Sequence, residues 1–117
     1  MVSNFEFLEK DFPVLANFGE LAEKYCYSDS NSCLMKLGMI GETIVNLMFT
    51  YDRIALPQDN TAAARIDTLV REGLLTRDLA TILHGLRKVR NKAVHENYSS
   101  VTDSKNFLLM AYGMCEW

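Results

Sequence analysis

Arg90 and His95 are the two residues of this sequence whose types and spacing suit chemistry on a phosphate ester. Four residues separate them within the stretch from Thr76 to Tyr98. A histidine can act as general base or acid at a 2′-hydroxyl or a leaving oxygen, and an arginine can stabilise the charge of a phosphorane. The pair is therefore a candidate for metal-independent cleavage of RNA. On an unbroken helix the two side chains lie about 140° apart, so they converge only if the helix ends near Val94 or if two chains dimerise.

The same two residues also have structural interpretations. Arg90 can be held in a core salt bridge, and His95 can cap a helix C-terminus, where the helix dipole favours a cation. Loops that cradle phosphates and the HExxH and GxSxG motifs are absent. The histidines, His84 and His95, are eleven residues apart and neither has a second ligand at metal spacing, so no metal site is expected.

The stretch that carries the pair has one apolar face and one cationic face. Its apolar residues recur at steps of three and four, which indicates a helix packed on a core: Leu79, Ile82, Leu83, Leu86, Val89 and Ala93. The polar residues on the opposite face are His84, Arg87, Lys88, Asn91 and His95. The candidate contacts to nucleic acid or to a protein partner are Arg87, Lys88, Asn91 and Lys92. A purely solvated charged face is the alternative.

Charge is unevenly distributed along the chain, whose formal net charge is −3. Residues 1–50 contain seven acidic and three basic residues, whereas residues 77–98 contain five basic and two acidic residues. An acidic domain with one basic segment can bind nucleic acid at that segment or dock on an acidic partner.

Length and composition predict one soluble domain over residues 1–117. The three cysteines are odd in number and lack CxxC spacing, which favours a reducing cytoplasm. No stretch reaches the run of about eighteen apolar residues that a membrane span needs, and the N-terminus lacks signal-peptide features. We therefore expect a cytoplasmic protein that does not associate with membranes.

Helical periodicity accounts for most of the chain and no segment alternates like a strand, which predicts an all-α bundle of four to five helices. The first helix is expected from about Asn4 to Tyr27, with a break or a fresh first turn at Pro13 capped by Asp11. The second, from about Asn31 to Arg53, is apolar almost all round and should occupy the centre. The remaining helices are expected over residues 61–72, 76–98 (capped by Thr76) and 103–117.

Four residues predict how the second helix meets the basic one. Gly38 and Gly41 are costly inside a helix and indicate the close approach of a neighbour. Arg90 falls among leucines, where an unpaired charge would be costly to desolvate. Glu42 likewise lies among apolar residues, so we predict a structural ion pair between Glu42 and Arg90, or alternatively Arg87.

The final helix is apolar on most sides and reaches Trp117 without a cap or a tail. We therefore expect a domain excised from a longer chain, with this helix packing on whatever follows.

Two resemblances extend this interpretation. The pattern R-N-x-x-x-H at Arg90–His95, on a late helix of a small all-α bundle, resembles the HEPN superfamily, whose signature is an arginine and a histidine a few residues apart. Nearly the whole chain also resembles the N-terminal, HEPN-related helical domain of type I restriction enzyme R subunits, through the segments 4–8, 27–31, 34–42 and 86–96. That family usually reads R-[KR]-x-G-N-x-A-V-H near the end. Here Arg90 stands where glycine is common, so Arg87 corresponds to the family's arginine, whereas Asn91, Ala93, Val94 and His95 keep the pattern.

The second resemblance implies a parent protein that is an ATP-dependent DNA translocase and site-specific deoxyribonuclease. It implies helicase motor domains, a PD-(D/E)xK nuclease domain, ATP and Mg in the parent, and methylation and specificity subunits as partners. None of the motor or nuclease motifs lies within these residues. The domain itself is therefore expected to be a non-catalytic, cofactor-free accessory module for subunit assembly or DNA contact, in a bacterial or archaeal cytoplasm. The alternatives are a HEPN-type RNase that acts as a homodimer on RNA through Arg90 and His95, and a purely structural bundle.

Overall fold

The computed structural model describes residues 3–116 and shows five α-helices and one short 3-10 helix. The 3-10 helix covers Glu6–Leu8, and the α-helices are α1 (Pro13–Tyr25), α2 (Ser30–Tyr51), α3 (Ala62–Arg71), α4 (Arg77–His95) and α5 (Val101–Glu116). No strand occurs within residues 3–116, so the all-α bundle of five helices is confirmed. The expected end of the last helix at Trp117 lies outside the described residues.

Side-chain caps fix the starts of three helices. The Asp29 carboxylate accepts a hydrogen bond from Ser32 N at 3.2 Å at the start of α2. Thr61 and Thr76 cap α3 and α4 in the same way, by accepting from the backbone amides three residues further on. These bonds satisfy amides that have no partner inside the helix. The prediction that Thr76 caps the basic helix is confirmed.

The start of α1 differs from the expectation. Pro13 begins the helix, as the predicted break requires, but the N-cap residue is Phe12 and no side chain caps it. The predicted cap by Asp11 is wrong, because Asp11 lies one residue before the capping position. The chain preceding Pro13 forms the short 3-10 helix instead of continuing an α-helix from Asn4.

The α4 helix ends at His95, three residues before the predicted end at Tyr98. Asn97 adopts a left-handed conformation with φ 53°, which asparagine tolerates better than most residues and which terminates a helix. The Tyr98 amide then donates back to the Lys92 carbonyl at 3.2 Å. Helix α5 starts at Val101, where the Ser100 hydroxyl accepts from the Asp103 amide at 3.1 Å.

Helix α2 is the centre of the bundle, as predicted, because it alone contacts all four other α-helices in the described part of the chain. Its inward residues are completely or almost completely buried: Cys33, Leu34, Leu37, Ile40, Val45 and Phe49. By length and composition α2 could also cross a membrane, which differs from the expectation that the chain has no segment of this kind. A helix whose apolar surface is covered by neighbouring helices has the same length and composition.

Burial changes the acidity of two thiols, that of Cys33 in this core and that of the partly buried Cys115 on α5. Loss of hydration raises the pKa of Cys33 to about 12 and that of Cys115 to about 11, because a thiolate is poorly solvated among apolar side chains. Cys33 has no exposed surface, and its hydrogen bond with Ser104 acts in the opposite direction, lowering the pKa.

The Cys33 thiol should make stability depend on pH in alkali. In the unfolded chain it ionises near its ordinary pKa of 9.0, whereas the folded chain retains the proton up to about pH 12. The preference of the folded chain for the protonated Cys33 thiol contributes fully to the free energy of unfolding below pH 9. This contribution is lost as pH rises from about 9 to about 12. Urea unfolding of wild type and Cys33→Ala should therefore give a stability difference that shrinks across this window. A difference that is constant with pH would contradict the assignment.

Candidate functional site

A cleft of about 380 Å³ lies between α2, the start of α3, and α4. Its charged lining consists of three arginines, Arg65 from α3 and Arg87 and Arg90 from α4, together with Glu42 from α2. The other polar residues in the lining are neutral: Asn46, Asn60, Thr61 and Asn91. The described residues contain no group of three or more His, Cys, Asp or Glu side chains that could hold a metal ion.

Arg90 reaches this cleft by crossing α2 at a glycine. A Cβ atom built on Gly38 would overlap Cβ, Cγ and Cδ of Arg90, so the arginine stem occupies the space that any other residue would fill. At Gly41 such an atom would lie 3.3 Å from Cδ1 of Leu86. The close helix approach predicted from the two glycines is confirmed. It lets the Arg90 stem pack on α2 while the guanidinium extends to the surface.

The Arg90 guanidinium faces Glu42 at the edge of the cleft. Nη1 of Arg90 lies 3.6 Å from Oε2 of Glu42, and the two side chains are 37% and 54% exposed. This separation exceeds a hydrogen bond, and an ion pair so exposed contributes at most about 1 kcal/mol. The burial inferred for Glu42 is wrong, because its side chain is more than half exposed, and Arg90 is only partly buried, because its guanidinium extends out of the core. Nε of Arg90 is buried and has no hydrogen-bond partner among the described residues.

Arg87 is oriented by a relay of side chains between α4 and α3. Its Nε donates to Nδ1 of His84 at 3.0 Å, which requires the histidine tautomer with its proton on Nε2. That Nε2 atom lies 3.1 Å from Oδ1 of Asp67. His84, which the sequence places on the polar face, thus positions an arginine and does not itself line the cleft.

Arg65 is the part of the cleft that the sequence did not reveal. Its Nε donates to Oδ1 of Asn60 at 2.6 Å, and its Nη1 donates to Oδ1 of Asn46 at 2.7 Å. The first contact joins residues five positions apart, but the second joins α3 to α2 across nineteen positions. The one local signal that could have drawn attention to Arg65 is the Asn60-Thr61 capping sequence a few residues before it. That sequence is typical of the start of a helix and does not by itself indicate a binding site.

The predicted contact residues of α4 separate into two groups. Arg87 and Asn91 line the cleft, whereas Lys88 and Lys92 do not. We call Lys88, Lys92 and His95, which are all exposed, the outer face of α4. Nζ of Lys92 lies 4.2 Å from the centre of the Tyr98 ring, a cation–π contact that keeps this lysine beside the helix end.

The candidate catalytic pair does not share one site within a single chain. Arg90 lines the cleft, and His95, the last residue of α4, is exposed and lies outside the lining. Helix α4 continues unbroken through both residues, so their side chains diverge by about 140°. Bringing them together requires a second chain, and their catalytic role stays a prediction.

The end of α4 is attached to the start of α2 by Asn31. The two hydrogens of its side-chain amide are donated to the carbonyls of Ala93, at 2.9 Å, and Tyr98, at 2.8 Å. The carbonyls at a helix C-terminus lack partners inside the helix. This one side chain therefore satisfies two backbone acceptors and fixes the position of the outer face relative to α2.

The fold and the cleft define a small helical bundle that concentrates cations along one helix. Residues 20–114 match the family described as "Domain of unknown function (DUF4145)". Because that match spans most of the chain, the protein belongs to this family.

A more distant similarity extends over almost the full length of the chain. The chain is 24% identical over 115 residues to the type I restriction enzyme EcoKI endonuclease subunit of Escherichia coli (strain K12). The alignment covers 98% of this chain and 10% of the relative, so the chain spans about a tenth of that protein's length. No solved structure matches the chain significantly.

Replacing Asn31 by alanine should release the end of α4. Two carbonyls would lose their donor in a partly buried position, which costs about 1 to 3 kcal/mol. Urea unfolding measures the loss, and Asn31→Asp provides the sharper comparison because it keeps the shape but presents acceptors to the carbonyls. We expect Asn31→Asp to be at least as destabilising as Asn31→Ala. Wild-type stability in both variants would refute the attachment.

Replacing Gly38 by alanine should force α2 and α4 apart. The new methyl group would overlap Cβ of Arg90, which is fixed to the backbone and cannot swing away. Overpacking outweighs the better helix propensity of alanine, leaving a net loss of about 1 to 2 kcal/mol. Gly113→Ala is the matched control, since nothing lies within 4 Å of the added atom. It should be neutral or stabilise by up to about 1 kcal/mol. Equal effects of the two substitutions in thermal or urea unfolding would contradict the close contact.

Proposed function

We propose that this chain is an accessory domain of a type I restriction enzyme R subunit and that it contacts DNA through the outer face of α4. The observation that carries the proposal is the display of Lys88 and Lys92 on one exposed surface. They belong to residues 77–98, which contain five basic and two acidic residues in a chain whose net charge is −3. The similarity to an endonuclease subunit supports the restriction-enzyme context.

Lysines on a helix face suit contacts to a phosphate backbone. Lys88 and Lys92 are one helical turn apart, about 6 Å along the axis, so both can contact one strand. Contacts of this kind fix the position of a protein on a duplex but carry no sequence information. Binding by two lysines is weak and releases about two counterions, so it depends on salt. The domain would therefore hold DNA near the enzyme without selecting a sequence.

The remaining functions belong to the proposed parent protein. We place ATP-dependent translocation, DNA cleavage, and the binding of ATP and Mg in other domains of the R subunit. The methylation and specificity subunits are the proposed partners, and the cytoplasm of a bacterium or archaeon is the proposed location. Kinship with the HEPN superfamily is part of this proposal and is supported by the helical fold and the late Arg90–His95 segment.

Reversing the charge of the outer face should weaken DNA binding. In the double variant Lys88→Glu/Lys92→Glu, we expect affinity for a short fluorescent duplex to fall about tenfold or more at about 50 mM salt. The slope of log affinity against log salt should decrease in magnitude by about two. Fluorescence anisotropy measures both quantities.

The matched control is Lys10→Glu/Lys24→Glu, which makes the same change in net charge at exposed residues outside α4. Equal losses in the two double variants would show that net charge, and not the outer face, governs binding. Absence of any DNA affinity in the wild-type chain would refute DNA contact. Binding to the methylation and specificity subunits in that case would assign the domain to subunit assembly.

A further inference from the structure

We propose that the cleft between α2, α3 and α4 binds a phosphate monoester, held by Arg65, Arg87 and Arg90. The site is separate from the outer face, since neither Lys88 nor Lys92 lines the cleft. It therefore does not depend on the proposed DNA contact.

The charge of the cleft matches a dianion. Three guanidinium groups face one carboxylate, that of Glu42, and the remaining lining residues are neutral. Two positive charges are thus unbalanced within the lining. A phosphate monoester carries a charge of about −1.5 to −2 at neutral pH, whereas a phosphodiester in a nucleic-acid backbone carries only one negative charge.

The arginines have unused hydrogen-bond donors. Arg65 makes two hydrogen bonds and Arg87 makes one, all to neutral acceptors, and Arg90 makes none among the described residues. A guanidinium has several N–H groups arranged as a fork that fits two phosphate oxygens at once. Most of the donors in the cleft therefore lack a protein acceptor in residues 3–116.

The protein holds these arginines in place before any ligand arrives. Asn46 and Asn60 fix the guanidinium of Arg65, His84 fixes Nε of Arg87, and the stem of Arg90 lies against Gly38. Ordering long side chains in advance reduces the entropy lost on binding. The first residues of α3 also line the cleft, so the positive end of that helix adds to the attraction for an anion.

The volume of the cleft limits the ligand. About 380 Å³ lies at the lower end of the range for small-molecule sites and accommodates a phosphate with an attached sugar-sized group. Together with the two unbalanced positive charges of the lining, this size favours a terminal phosphate, carried either by the end of a nucleic-acid strand or by a small phosphorylated molecule.

Titrations of the 117-residue chain, followed by NMR chemical shifts, test the site. The probes are inorganic phosphate, a nucleoside 5′-monophosphate, and one short oligonucleotide with either a 5′-phosphate or a 5′-hydroxyl, at constant ionic strength. We expect saturable binding of probes that carry a terminal or free phosphate group, and no comparable binding through backbone diesters alone. Tighter binding of the 5′-phosphorylated strand than of its 5′-hydroxyl counterpart identifies a strand end, and selective binding of the nucleotide identifies a small molecule. The proposal is overturned if inorganic phosphate, the nucleotide and the 5′-phosphorylated strand all fail to saturate the cleft, or if the 5′-hydroxyl strand binds as tightly as the tightest of them.

Matched variants assign the binding to the arginines. Arg65→Gln should weaken the affinity for phosphate about tenfold or more, because it removes a charged donor. Arg71→Gln makes the same charge change on α3 outside the cleft and should leave the affinity unchanged. Glu42→Gln should strengthen binding several-fold, because it removes the one repelling carboxylate of the lining. An unchanged affinity in Arg65→Gln, or weaker binding in Glu42→Gln, would refute the assignment.

The outer-face variant separates this inference from the proposed function. Lys88→Glu/Lys92→Glu should lose duplex binding while keeping its affinity for the monoester. Simultaneous loss of both affinities in that variant would show that the cleft is not an independent site.

Discussion

The packing of the Arg90 stem on Gly38 is the contact on which the rest of the site depends. It allows α4 to lie close against α2, the helix that contacts all the others. It also carries the outer part of the guanidinium from a row of apolar residues to the surface beside Glu42, so that the desolvation cost of a fully buried charge is avoided even though Nε stays buried. A larger residue at position 38 would separate the helices and widen the cleft between them.

The basic residues of α4 lie in two different environments, according to the side of the helix that each occupies. Arg87 and Arg90 point into the cleft, where residues of α2 and α3 complete the lining, whereas Lys88 and Lys92 lie on the outer face in contact with solvent. The type of basic residue differs between the cleft and the outer face. Arginine, with its planar fork of donors, occupies the confined position, and lysine, a strongly hydrated point charge, occupies the exposed one. One helix therefore presents arginines to a confined cleft and lysines to open solvent, and we propose different ligands for these two surfaces.

The local elements of the fold could largely be predicted, because their signals lie within a few residues. The cap at Thr76 and the central position of α2 both follow from short-range patterns. The errors are also local. Asp11 lies one residue before the capping position, and the periodic pattern continues to Tyr98 because periodicity does not register the left-handed turn at Asn97. Boundaries depend on single backbone angles, which neighbouring residues determine only weakly.

By itself the sequence determined that the chain is helical, that α4 has one apolar and one cationic face, and that Gly38 meets a neighbouring helix. These properties follow from residue spacing along a single helix. Only the tertiary structure decided that Arg65 joins Arg87 and Arg90, and that His95 stays outside their cleft. The hydrogen bond from Arg65 to Asn46 spans nineteen positions, and no periodic pattern encodes which helices will pack together. Helix packing brings together residues that are unrelated in sequence, and the cleft is formed by that packing.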